Sequence, residues 1–156
     1  MQTPDQPAVR ILVVEDLPTD AELTEREIRK TLKNCVFQRV DTQDSFLAAL
    51  EEFRPDLIVS DYSMPRFSGL TALKFVLERA PLTPLIIVTG SLNEDTAVAC
   101  MKAGAANYVI KEQIKRLGPS VARALQEMQV RAERQQAEAA LRRNEHYFRS
   151  LIEDAH

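Results

Sequence analysis

The chain has 156 residues, 45% of them hydrophobic, and a formal net charge of −3. That is enough apolar material for one buried core with an appendage, and the charge balance leaves no basic surface for nucleic acid and no acidic tail that would favour disorder. The two cysteines, Cys35 and Cys100, have no partnering histidine, so buried thiols in a reducing compartment are expected in place of a disulfide or a metal site. The N-terminus lacks a basic region followed by an apolar one, and no run approaches the roughly 18 apolar residues needed to cross a bilayer, so a cytoplasmic location is expected.

Residues 1–8 read as a disordered lead. Val9 to Val14 is then a strand, apolar except for Arg10, and it ends on the acidic pair Glu15-Asp16. Pro18, Thr19 and Asp20 open a helix with Leu23, Ile28 and Leu32 along one face. A second strand, Cys35 to Val40, precedes a helix that Thr42 or Asp44 can cap, with Phe46, Leu47, Leu50 and Phe53 as its apolar stripe and Pro55 as its stop. Leu57, Ile58 and Val59 form a short β-branched-rich run, the mark of a strand buried on both faces, which ends on Asp61. Gly69 to Arg79 is a helix whose Leu70, Leu73, Val76 and Leu77 share a face, with Phe75 at the flank. Leu85 to Val88 is the next strand, ending on Thr89-Gly90-Ser91. Asn93 or Glu94 starts a helix that Gly104 terminates, and Asn107 to Ile110 is the fifth strand, ending on Lys111. This alternation predicts an α/β fold, a five-stranded parallel sheet with right-handed crossovers and helices on both faces.

The strand ends carry the chemistry. Glu15-Asp16, Asp61, Thr89 and Lys111 all fall on the carboxyl edge of the sheet, where diverging loops leave a crevice. Carboxylates gathered there repel one another unless a cation joins them, and a hard divalent ion such as Mg²⁺ accepts one or two carboxylates, several waters and a phosphate oxygen. With a lysine and a hydroxyl beside them, the set suits transfer of a phosphoryl group to a carboxylate oxygen. No glycine-rich phosphate loop follows the first strand, so a nucleotide site is not expected.

The acidic pair, the D-x-x-M-P-x-x-x-G run from Asp61 to Gly69, Thr89 after an apolar strand, and Tyr108 three residues before Lys111 together resemble the receiver domain of two-component response regulators. The likeness covers Val9 to Met128 and implies the flavodoxin-like strand order 2-1-3-4-5. It implies that Asp61 is the phosphoacceptor, that Asp16 is a direct Mg²⁺ ligand together with Asp61 and the backbone carbonyl of Ser63, and that Glu15 acts through water. Lys111 would pair with the acyl phosphate, and Thr89 and Tyr108 would form a switch pair; a half-buried edge-strand aromatic is an equal reading of Tyr108. Ser63 and Ser91 stand at positions that influence phosphoryl lifetime. The implied partners are a histidine kinase or phosphotransfer protein and a C-terminal output module in cis, and acetyl phosphate is an alternative donor. Glu112 stands where the family commonly has a proline that shapes the following loop.

Beyond Gly118-Pro119 the composition is that of a long helix, with Ser120 to Arg143 reaching roughly 36 Å. Val121, Leu125 and Met128 are expected to pack on the sheet. Residues 129–143 are expected to be a linker or signalling helix, with a weak seam of Ala132, Gln135 and Ala139 that would allow a homodimer. Residues 144–156 resemble the opening of a PAS domain, so the parent could be a hybrid kinase or a cyclic-dinucleotide enzyme. Two other functions fit less well. A phosphatase of the haloacid dehalogenase type needs a second aspartate two residues after its nucleophile, and that position is Ser63. A receiver-like module that binds without phosphorylation would usually have lost an acid or the lysine, and all are present.

Overall fold

The computed structural model describes residues 6–91 and 93–154; Met1 to Asp5 of the expected N-terminal lead lie outside them, and Gln6 to Ala8 precede the first strand. Five strands form one sheet: β1 (Val9–Val14), β2 (Cys35–Val40), β3 (Leu57–Asp61), β4 (Leu85–Thr89) and β5 (Asn107–Ile110). Their order is β2-β1-β3-β4-β5, every pairing is parallel, and the order is the one the resemblance implies. The helices between them are α1 (Pro18–Thr31), α2 (Gln43–Glu52), α3 (Gly69–Arg79) and α4 (Glu94–Lys102), and α5 (Leu117–Asp154) follows a 3-10 turn over Lys111–Arg116.

Because side chains alternate along a strand, the sheet buries two separate apolar layers. Leu12, Val14, Ile58 and Ile87 point to the layer shared with α2 and α3, around Phe46, Leu73 and Val76. Ile11, Val13, Val59 and Val88 point to the layer shared with α1 and α5, around Ile28, Leu117 and Val121. Both cysteines are buried and free, one in each layer.

Each helix start has a local cause. Thr42 caps α2 through a capping box with Ser45, Ser68 accepts from the Thr71 amide, and Asn93 accepts from the Thr96 amide. The chain leaves α2 through Arg54, whose φ of 51° is a left-handed conformation, before Pro55.

Some details differ from the periodicity reading. In α1 the buried positions are Ala21, Thr24, Glu27 and Ile28, whereas Leu23 is 39% exposed. In α3 the packed positions are Ala72, Leu73 and Val76, and Leu77 is 45% exposed. In both cases the angle at which the helix crosses the sheet selects among neighbouring apolar positions, which a period cannot do. The last helix starts at Leu117, so Gly118 and Pro119 lie in its first turn, where a missing amide costs nothing. Gly118 is needed there, since a Cβ would run into Thr31 Oγ1 and come 3.0 Å from the Glu27 carbonyl of α1. The helix continues unbroken to Asp154, with no PAS core among the described residues. Val121 is buried and Leu125, Met128 and Ala132 are partly buried; from Glu133 to Asp154 every residue is exposed.

Candidate functional site

Register alone brings the first two acids together. Val14 pairs with Ser60, so the next residues, Glu15 and Asp61, lie side by side at the carboxyl edge. Each lies two residues beyond a valine of the α1-facing layer, Val13 or Val59, and so projects to the same side of the sheet. On the other flank Asp61 pairs with Val88 and Thr89 pairs with Ile110, which places Thr89 and Lys111 just beyond. Hydrogen bonds hold the backbone of the acidic turn: the Glu15 amide donates to the Val40 carbonyl at 3.0 Å, and Arg39 Nη1 donates to the Glu15 carbonyl at 3.1 Å.

The M-P-x-x-x-G loop has a steric reason. Gly69 opens α3 against the end of β3, its amide donates to the Tyr62 carbonyl at 2.9 Å, and a Cβ would sit 2.7 Å from the Asp61 carbonyl oxygen. No side chain fits where the loop returns under Asp61.

One carboxylate oxygen from each of Glu15, Asp16 and Asp61 can be chosen so that all lie within 4.8 Å of one another. Glu15 is buried at 4% exposure, and its Oε1 is a buried oxygen with no hydrogen-bond partner. Burial first, and then the charge of Asp61 and a carboxyl contact with it, push Glu15 up to about 8. Burial also raises Asp61, against the Glu15 contact and the Lys111 charge, which lower it. Burial and the mutual repulsion of the two carboxylates thus favour a protonated form of the pair where no cation joins them. The acidic cluster, with a buried oxygen that has no hydrogen bond, fits a hard divalent cation such as Mg²⁺.

Lys111 reaches into this cluster from the end of β5. Its Nζ lies 3.5 Å from Glu15 Oε1, 3.8 Å from Asp61 Oδ1 and 2.8 Å from Asp20 Oδ2. Burial draws the ammonium down, and the hydrogen bond to Asp20 with the charges of Asp61, Glu15 and Asp20 outweighs it, so Lys111 ends above its ordinary value. Asp20 is correspondingly lowered, chiefly by that hydrogen bond. Sequence reasoning placed Asp20 only as a helix opener, yet it makes the shortest contact to the lysine. The available signal was its position one turn after Asp16, at the start of the helix that leaves the acidic strand end.

Of the other expected residues, Thr89 is buried at 6% exposure beside this edge. Tyr108 is half-buried on the edge strand, and its hydroxyl donates to the Ser91 carbonyl at 3.5 Å, the outer limit of a hydrogen bond. Ser63 is exposed in the loop after Asp61. Glu112 belongs to the 3-10 turn, which is interrupted at Gln113, and no cis peptide occurs among the described residues. A cleft of about 10 Å³, room for about one water, lies under the carboxylates between Glu15, Asp20, Asp61 and Lys111. A larger cavity of about 390 Å³ lies at the opposite edge, between the Pro81–Pro84 turn, Gly104–Ala106 and α5, far from the acids.

A family model for the response regulator receiver domain matches residues 11–122. The chain belongs to the response regulator receiver family. Among curated proteins, this receiver is 33% identical over 101 residues to the DNA-binding transcriptional regulator NtrC of Salmonella typhimurium, covering 65% of this chain and 21% of that protein. It is 32% identical over 117 residues to the response regulator protein PilR of Pseudomonas aeruginosa, covering 74% of this chain and 26% of that protein. It thus spans only about a fifth to a quarter of these two relatives. Among solved structures, the signal receiver domain of a LuxO repressor protein from Vibrio parahaemolyticus superposes with a TM-score of 0.72 at 27% identity, covering 80% of this chain and 95% of that one. NtrX from Brucella abortus gives 0.75 at 26% identity, covering 83% of this chain and 29% of that one. Among the described residues no helix is long and apolar enough to cross a membrane.

Proposed function

We propose that this receiver accepts a phosphoryl group on Asp61 with the help of Mg²⁺ and passes the change to an output module beyond α5. The observation that carries the reading is the convergence of Glu15, Asp16 and Asp61 within 4.8 Å, with Lys111 Nζ 3.8 Å from Asp61. Asp16 and Asp61, with the Ser63 carbonyl, would hold the cation, and Glu15 would act through water. The cation supplies charge neutralisation for a phosphoryl group approaching an anionic site.

The chain's own residues do the rest. An oxygen of the Asp61 carboxylate attacks phosphorus, the bond from phosphorus to the donor's imidazole nitrogen or acetyl oxygen breaks, and the donor leaves with that electron pair. Lys111 balances charge on the phosphoryl oxygens, and its ammonium has three donors, so it can serve them while still held by Asp20. Thr89 offers a hydroxyl to the acyl phosphate, and with Tyr108 it couples the site to the β4–α4 loop. The donor is a histidine kinase, a phosphotransfer protein or a small acyl phosphate. The output partner lies C-terminal in cis, and the sequence of residues 144–156, which resembles a PAS entry, supports a sensory or catalytic module there. Residues 9–128 are the receiver and the helix beyond them is its connector.

Intact-mass spectrometry after incubation with acetyl phosphate and Mg²⁺ tests the reading. The wild type should gain one phosphoryl mass and Asp61→Asn none. A persistent adduct in Asp61→Asn would place the acceptor elsewhere.

A further inference from the structure

Of the three acids that face Lys111, one holds it by a hydrogen bond. Its Nζ donates to Asp20 Oδ2 at 2.8 Å, whereas Glu15 Oε1 at 3.5 Å and Asp61 Oδ1 at 3.8 Å stand only at ion-pair range. Among the described residues the acids close enough to share a cation are Glu15, Asp16 and Asp61, and Asp20 is not one of them. Its carboxylate is therefore committed to the lysine and not to a metal.

Little else fixes the lysine. It begins the 3-10 turn Lys111–Arg116, which buries no residue and leaves helical geometry at Gln113, with φ −115° and ψ 35°. The flexible stem carries much rotamer freedom, and 28% of the side chain is in solvent, so an ammonium without a tether would spread over rotamers that face water. Asp20 is placed more firmly. It stands in the first turn of α1, directly before Ala21, and Ala21 and Ile28 fasten that helix into the layer it shares with the sheet and α5.

We infer that Asp20 is a positioning residue for phosphoryl transfer: it holds the Lys111 ammonium beside Asp61 so that the donors left over meet the oxygens of the incoming group. This deepens the phosphoacceptor reading of Asp61 and rests on it. An ammonium has three donors, and with one given to Asp20 the others remain for the phosphoryl group. The same contact draws Lys111 to 2.8 Å from Asp20 and leaves it 3.8 Å from Asp61, so the lysine does not close on the nucleophile and the Asp61 oxygen stays open to phosphorus. Asp20 acts through Lys111 and not on the reacting atoms. Its contribution is orientation before the donor arrives, where a displacement of about 1 Å can cost up to about 100-fold in rate.

Phosphorylation of the full chain by acetyl phosphate at saturating Mg²⁺, followed by intact-mass spectrometry below the melting temperature of each variant, provides the test, with Mg²⁺ affinity measured by calorimetry. Asp20→Ala should slow phosphoryl entry roughly tenfold and leave Mg²⁺ affinity within about threefold of the wild type. Asp20→Asn, whose amide oxygen still accepts from an ammonium, should keep an intermediate rate. If Asp20 served only as a favourable charge in the first turn of α1, Asn would be as slow as Ala. An unchanged or faster rate in Asp20→Ala, an Asp20→Asn no better than Asp20→Ala, or a Mg²⁺ affinity that falls in step with the rate would each overturn the inference while leaving Asp61 as the acceptor. A wild-type chain that takes no phosphoryl group, or an adduct that persists in Asp61→Asn, would overturn the phosphoacceptor reading and the inference with it.

Discussion

Ile58 and Ser60, in the middle of β3, are fully buried, laddered on both sides and enclosed by neighbouring elements. Asp61, the next residue on the same strand, is surrounded by two other acids, an ammonium and a buried oxygen without a partner. The interior and the edge of one sheet are therefore under opposite conditions. Among the described residues the buried side-chain polar atoms of the interior have hydrogen-bond partners, whereas at the edge one ammonium, Lys111, faces Glu15, Asp20 and Asp61 and leaves Glu15 Oε1 without a hydrogen bond. The difference shows where stability resides and where a ligand can do work, because binding at the edge relieves a cost that the interior sustains.

The strongest way to probe the interior is to empty it. Ile58→Ala should lower unfolding free energy by roughly 2–5 kcal/mol, read by urea denaturation, while Asp61 still takes a phosphoryl group below the melting temperature. A cost below about 1 kcal/mol would mean that the interior tolerates voids and that the contrast with the edge is weaker than the burial suggests.

Gly69→Ala tests whether the edge is held by packing. The added methyl would crowd the Asp61 carbonyl and Ile87 Cδ1, so a loss of roughly 1–3 kcal/mol and slower phosphorylation are expected together. Loss of stability with an unchanged phosphorylation rate would detach the loop from the position of Asp61.

Glu15 should give the opposite sign. Its folded value near 8 exceeds the ordinary 4.5, so between those pH values the folded chain keeps a proton that the unfolded chain has lost. Unfolding free energy must then fall as pH rises through that window, by up to about 1.4 kcal/mol per unit. In the presence of EDTA, Glu15→Gln should flatten this slope and gain about 1 kcal/mol at pH 7.5, and Mg²⁺ should flatten it in the wild type. A wild-type profile that rises from pH 5 to 8 without metal would contradict the burial of an uncompensated acid.

The smallest effect belongs to Asp20→Asn. Loss of its hydrogen bond should lower the Lys111 titration midpoint, followed by NMR of the labelled lysine, and change stability by roughly 0.5 kcal/mol. An unmoved midpoint would show that Asp61 and Glu15 alone hold the ammonium.

The residues themselves made much of this legible. The apolar runs at Val9, Cys35, Leu57, Leu85 and Asn107 correspond to the five strands, and Thr42 and Asn93 mark helix starts that a short side chain can cap. These features are local, since a strand's burial on both faces or a cap's hydrogen bond is decided by a handful of neighbouring residues. For the same reason Glu15, Asp61, Thr89 and Lys111 could be assigned to one edge, because each ends a parallel strand.

Other features depended on distances between elements. Asp20 and Lys111 stand 91 residues apart, and their contact exists only because α1 starts beside the end of β5 across the acidic turn. Whether Leu23 or Thr24 is buried was decided by how α1 lies on the sheet, and the need for Gly118 by how closely α5 crosses α1 at Thr31. Which stripe of α5 stays open was decided by where the receiver ends against it, near Ala132. A period along the chain specifies which residues share a face, but the depth, angle and extent of that face's cover are set by the shapes of elements far away in sequence.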